Sequence, residues 1–370
     1  MLFNPFSTLG NGIPNLVVAR RVIDKMAAAS RRYIADETGE AMVGLVVPGK
    51  NTNGVPTLYV LDTISPDERT VVRHAHTFQQ GDELQDELIW WLQENWRLYR
   101  DKRRSSALQA KWDVPLRYLG DWHKQPGFMI QPSSGDRMTA LSWLDDEENG
   151  MDFLLAPIVT LGHPSTTSNP YANANFVAVP YGNGTDMRVD FWYIDGEIGQ
   201  FLPIIPAVYP NDQLPVLPDY PWHLVDEKRF KTETALLNKD GLFTSLVLWD
   251  ADGEPPLEIC FMTARMGADR VLIVITPWNY PTQAPSARVA PFVHMGPDDD
   301  MYSVFEDLWA QSKPIADPPV WKWSPEQHLL DYIHALEDHL GIPRASAAPQ
   351  PVAEEKLPVE GADNTPEETP

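Results

Sequence analysis

Apolar positions along the chain lay out alternating helical and extended elements. Over 17–35 they recur at helical spacing (Val18, Val22, Met26, Ala29), and the run Ala41-Met-Val-Gly-Leu-Val-Val that follows has the unbroken apolar character of a buried strand. Residues 57–62 and 70–76 alternate, with Ser65-Pro66-Asp67 between them, which predicts two strands joined by a turn. Leu84, Leu88, Trp91, Leu92 and Leu98 predict the longest helix of the first half over 82–102. A strand at 115–122, a short helix at 138–144 and closing strands at 153–161, 175–180 and 187–194 complete an α/β or α+β layer, a mixed sheet flanked by helices.

Six prolines between Phe201 and Pro221 suit neither a helix interior nor a central strand, so this stretch reads as a linker. Beyond it the pattern predicts a helix over 226–238, strands at 243–249, 257–263 and 271–276, and a helix over 325–340 begun by Ser324 as N-cap with Pro325 at its first position. The expected organisation is a first domain at 1–200, the linker at 201–221, a second, smaller α+β domain at 222–343 and a tail from 344 to 370. That tail carries six acidic residues, two basic residues and five prolines with few large apolar side chains, the composition of a disordered segment.

At 370 residues a single core is not expected. The formal net charge of −23 disfavours nucleic acid and anionic membranes, which are gripped by clustered Lys and Arg, and favours a basic or neutral partner. The start of the chain lacks a basic stretch followed by an apolar run, and no stretch approaches the roughly 18 apolar residues of a membrane span. One cysteine excludes an internal disulfide framework and a thiolate-only zinc site. A soluble, cytoplasmic protein is the expectation.

Two segments stand above this background: Glu37-Thr-Gly-Glu-Ala-Met-Val-Gly44, and Gly120-Asp-Trp-His123-Lys-Gln125-Pro126 followed by Ser133-Ser-Gly-Asp136. Singly they have structural readings: a charge in a turn, a hydrogen-bonded histidine at a strand end, a helix N-terminal capping arrangement. Together they resemble the JAB/MPN family of zinc metallopeptidases, whose signature is a Glu ahead of a Gly-containing strand, then His-x-His-Pro with Ser and Asp at fixed spacing. The seven residues between position 125 and Ser133, and the interval to Asp136, fit that spacing, and the resemblance spans about residues 15–195.

The resemblance implies a zinc site in which His123 and Asp136 are ligands, Glu37 is the general acid/base and Ser133 steadies the oxyanion or supports the ligands. The second His of the motif is Gln125, whose neutral amide oxygen is a weaker ligand than imidazole. Gln125 ligates through that oxygen, another His enters from elsewhere, or the chain keeps only the fold. His74-x-His76 also has ligand-like spacing, with exposed strand histidines as the alternative. Trp122, next to His123, is a candidate wall of the site, and His328, His334 and His339 read as surface positions on an amphipathic helix, with His294 also in the second half.

In the second half, Arg229-Phe-Lys-Thr-Glu233 with Leu236, then Val271-Leu-Ile-Val-Ile-Thr-Pro277-Trp-Asn-Tyr280-Pro281-Thr-Gln-Ala-Pro285, and Trp323-Ser-Pro-Glu-Gln-His-Leu-Leu resemble the ubiquitin-conjugating (E2-like) or RWD fold over about 222–343. A conjugating enzyme needs a cysteine after the Tyr-Pro turn. Cys260 lies upstream in an expected strand, so a non-conjugating variant is implied. The two resemblances together imply a zinc-dependent isopeptidase acting on a ubiquitin-like protein or its conjugates. The alternative is a catalytically silent scaffold that binds such partners.

Overall fold

A computed structural model describes residues 12–50, 52–80, 83–103, 111–165, 174–293 and 299–344. The fold is mixed α+β. The tail from 345 onward and His294 lie outside the described residues. Two compact units emerge: one takes in the described residues up to Phe230 with Leu248–Ile259 and Ile275–Pro285, the other Lys231–Val247, Cys260–Val274 and the described residues from Ser286.

The first unit runs β1 (Asn15–Ala19), α1 (Arg20–Arg32), β2 (Gly39–Gly49), β3 (Gly54–Ile64), β4 (Val72–His74), β5 (Thr77–Gln79), α2 (Glu83–Arg103) and β6 (Leu116–Lys124). It continues with α3 (Ser134–Asp145), β7 (Phe153–Leu155), β8 (Ile158–Pro164), β9 (Phe176–Gly182), β10 (Thr185–Asp190), β11 (Trp192–Asp195), β12 (Leu202–Pro203), β13 (Pro206–Tyr209) and α4 (Trp222–Val225). Eight strands form one sheet in the order β13-β1-β3-β2-β6-β8-β10-β9. β1 is parallel to β13 and β3, and β6 is parallel to β8, whereas β2 is antiparallel to both of its neighbours.

Central position explains composition. Ala41, Met42, Val43, Leu45 and Val46 of β2 are all buried, so both sets of alternating side chains are covered. α1 contributes Val22, Ile23, Met26 and Ala27 to the core and α2 contributes Leu88, Trp91, Leu92 and Trp96. Within the proline-rich stretch read as a linker, β13 forms a sheet edge, a position that tolerates Pro206.

Residues 17–19 belong to β1 rather than to the helix expected there. The apolar run Leu16-Val17-Val18 pairs with β3 and β13, and its β-branched residues fit a pleated surface better than a helix turn. The segment 70–76 is not one strand but half of a small two-stranded hairpin, β4 with β5.

The rest of the chain holds α5 (Glu227–Lys239), β14 (Phe243–Trp249), β15 (Glu258–Ala264), β16 (Arg270–Thr276), β17 (Ser286–Pro291), α6 (Met301–Gln311), β18 (Lys313–Ile315) and α7 (Leu329–Leu340). Five strands form a sheet in sequence order, β14 to β18. β17, α6 and β18 were not expected from the pattern. The last helix begins at Leu329, not after Ser324, because Glu233 accepts from the Leu329 N–H at 2.9 Å and Asp331 from the His328 N–H at 2.9 Å. His328 and His334 are correspondingly half-buried and paired, with Glu233 at 3.2 Å and Asp240 at 2.9 Å, whereas His339 is exposed.

Candidate active site

The site lies in the first unit, at the end of β6. A bulge sets it up: Met42 of β2 pairs with Gly120 and Val43 with Tyr118, leaving Leu119 as the extra residue. Gly120 adopts φ +124°, and a Cβ there would meet Leu155 O at 2.1 Å, so this position admits only glycine. Beyond the bulge the pairing is regular, so Asp121 and His123 share a face, while Trp122 and Lys124 on the other are buried. Trp122 is therefore core, not a site wall; its indole N–H points at Glu40 Oε2, 3.4 Å away.

Asp136 comes to this face from the first turn of α3. The Ser133 N–H donates to Asp136 Oδ2 at 2.6 Å and the Asp136 N–H donates to Ser133 Oγ at 3.2 Å, a reciprocal capping box. The carboxylate's other oxygen stands 3.8 Å from His123 Nε2. Gln125 enters the same cluster. Its amide nitrogen is satisfied by Met129 O at 2.6 Å and Gln131 O at 3.3 Å, which turns its oxygen toward His123 Nε2 at 3.1 Å. The amide position facing the pair is 3.3 Å from Asp136 Oδ2.

His123, Gln125, Ser133 and Asp136 are thus brought together. Burial depresses the His123 pKa against the opposing pull of Asp136. Glu37 lines the same cleft on the segment leading into β2. Burial, then the negative charge of Asp136, raises its carboxyl above the usual range, with His76 and Lys124 acting the other way. The Glu37 N–H donates to His74 O at 2.9 Å, so the β4–β5 hairpin holds this segment. The neighbouring Glu40 faces away from the cleft and is buried, where it accepts from Thr63 Oγ1 and Ser65 Oγ, each at 2.6 Å.

The cleft encloses about 1360 Å³. Its lining adds residues that the motif spacing did not identify: Gln80, Asp86, Trp90, Tyr118, Asp121 and Trp143. Tyr118 and Asp121 are hydrogen-bonded to each other, and burial raises the Asp121 carboxyl to about 6, helped by the charge of Asp86. No periodicity reveals this pair, since in an unbulged strand positions three apart face opposite ways.

Among the described residues no group of three or more His, Cys, Asp or Glu side chains is placed to hold a metal ion. Neither His74 nor His76 therefore completes a His123–Asp136 set. The polar side chain that stands beside both His123 and Asp136 is the Gln125 amide. The Gln125 amide stands 3.1 Å from His123 Nε2 and 3.3 Å from Asp136 Oδ2, whereas the 3.8 Å approach to His123 is made by the other carboxylate oxygen, Oδ1. An imidazole nitrogen and two acceptor oxygens are donor types that a divalent cation takes, the amide oxygen being a weaker ligand than imidazole.

Cys260, the chain's one cysteine, is fully buried in β15. Tyr280 is also buried: its ring lies 4.7 Å from that of Trp222 and its hydroxyl accepts from Arg229 at 2.9 Å.

No family model and no curated protein matches the chain. A similarity to a solved structure is the solution structure of protein DSY2949 from Desulfitobacterium hafniense, with 12% identity, a TM-score of 0.27, and coverage of 53% of this chain and 93% of that one. At that score the likeness supports no statement about fold or activity. No helix among the described residues is long and apolar enough to cross a membrane.

Proposed function

We propose that the chain is a zinc-dependent hydrolase of the JAB/MPN isopeptidase type, acting on a ubiquitin-like protein or its conjugates. The observation that carries this reading is the grouping of His123, Gln125 and Asp136 within 3.8 Å of one another beside a cleft lined by His123, Asp136 and Glu37. His123, Asp136 and the Gln125 oxygen would hold the metal, which when bound supplies Lewis acidity and a water of lowered pKa. Glu37, with its affinity for a proton raised by burial, is suited to take a proton from water and return it to a leaving amine. The Ser133 hydroxyl accepts from the Asp136 N–H and keeps its own proton available for a developing oxyanion.

A second reading, a binding scaffold without catalysis, is favoured by Gln125 standing in place of a His and by the burial of Cys260. Metal content separates the two. About one zinc per chain in the wild type, lost in His123→Ala and Asp136→Ala, supports the hydrolase and justifies a screen for cleavage of ubiquitin-like conjugates. Absence of zinc after purification under zinc-replete conditions favours the scaffold.

A further inference from the structure

The floor of the cleft beside the His123 cluster holds two buried acceptor atoms with no hydrogen-bond partner among the described residues, Asp121 Oδ1 and Gln80 Oε1. Gln80 and Tyr118 both hydrogen-bond the Asp121 carboxylate, and Asp86 adds a second negative charge. A buried acceptor without a donor forfeits its hydration uncompensated, so two in one cavity mark a place where a donor group is missing. The cations on the cleft wall are engaged elsewhere. Arg97 pairs with Glu94 and Asp101, Arg100 with Asp113, and Arg117 donates to Gly150 O.

Aromatic side chains line the same cleft as these oxygens. Trp90 is one helical turn after Asp86 on α2, which places the two on the same helix face, and half of its surface is exposed. Trp143 of α3 packs 6.1 Å from the Tyr118 ring and is also exposed. Carboxylate and amide oxygens flanked by open aromatic faces match a planar cation with several N–H donors better than a compact ammonium.

We propose that this part of the cleft is a subsite for a guanidinium side chain of a bound peptide, with Asp121 and Gln80 accepting its N–H groups and Trp90 stacking on its plane. Asp121 and His123 are two residues apart on a regular stretch of β6, a separation of ~7 Å. An extended peptide presents side chains on one face at the same interval. The preferred ligand therefore carries arginine two positions from the peptide unit that lies against His123 and Asp136. The order of positions rests on the hydrolase reading; the guanidinium subsite itself does not.

The test is calorimetric titration of the full chain, in EDTA, with N-acetyl-arginine amide and with the citrulline analogue, which has nearly the same shape and no charge. The expected result is measurable binding of the arginine probe and at least roughly tenfold weaker binding of citrulline, with a comparable loss for arginine in Asp121→Asn. Trp90→Leu, at an exposed position, is expected to weaken arginine several-fold without moving the unfolding transition. Equal affinity for the two probes in the wild type, or no binding of either, overturns the subsite, whatever the variants do. Because EDTA removes metal, arginine binding by a chain that holds no zinc and cleaves nothing would sustain the subsite while sinking the hydrolase reading; zinc and cleavage without discrimination would do the reverse.

Discussion

Ser133 and Asp136 are bound to each other twice, by the Ser133 N–H on Asp136 Oδ2 at 2.6 Å and the Asp136 N–H on Ser133 Oγ at 3.2 Å. The box that starts α3 also fixes the carboxylate that faces His123. Removing the Ser133 hydroxyl should act on both.

Ser133→Ala is expected to lower stability by about 1 kcal/mol, the usual cost of losing a helix N-cap side chain. Urea unfolding measures it. If zinc binds, its affinity should fall in the same variant, because one of the two restraints on Asp136 is gone; calorimetric zinc titration reads this, and unchanged affinity would show that the cap does not position the ligand.

Gln125→His puts a second imidazole where the amide oxygen now faces His123. Zinc affinity should rise by at least roughly tenfold, since imidazole is a better zinc ligand than a neutral amide. Competition against a chromophoric chelator gives the number. No gain would argue that the cluster is not a metal site.

Gly120→Ala should be among the most damaging substitutions in the chain. It combines φ +124° with a Cβ placed 2.1 Å from Leu155 O, and strain of that kind costs about 1–3 kcal/mol before any clash is counted. A lowered unfolding midpoint is expected, and a wild-type melting curve would contradict the bulge geometry.

Two buried groups set opposite pH dependences. Burial depresses His223 to about 4, so the folded chain refuses a proton that the unfolded chain takes up below roughly 6.5. Stability from this group is intact above 6.5 and declines as pH falls toward 4. Burial, with Asp252 and Asp250, raises Glu258 to about 7. The folded chain keeps that proton while the unfolded chain loses it above about 4.5, so stability declines as pH rises from 4.5 to 7. Glu258→Gln should therefore stabilise the protein at pH 8, by on the order of 2 kcal/mol once solvent screening of this partly exposed carboxyl is discounted, and have little effect at pH 4. Denaturant melts at the two pH values test the sign.

In the second unit, Arg265 is buried between Glu337, at 2.7 Å, and Asp240. Glu337→Ala leaves a buried guanidinium short of its main partner and should cost about 3–5 kcal/mol. Arg265→Met with Glu337→Leu, which removes both charges, should cost far less. Unfolding free energies of the single and double variants decide this.

The sequence by itself determined the mixed α+β class, the length of α2 and the succession β2, β3, α2, β6, because each rests on apolar periodicity that local burial enforces. Motif spacing also selected His123, Gln125, Ser133 and Asp136, whose side chains meet because a strand end and the following helix cap are close along the chain. What only the tertiary structure decided depends on pairing between distant segments. Residues 17–19 became a strand when β3 and β13 flanked them, and the last helix started at Leu329 because Glu233 reaches it from far upstream. The bulge at Gly120 rephased β6 and set Asp121 beside Tyr118, with Asp86 adding its charge from another element. A period of two carries no record of one inserted residue, since the bulge exists only in the register between β2 and β6.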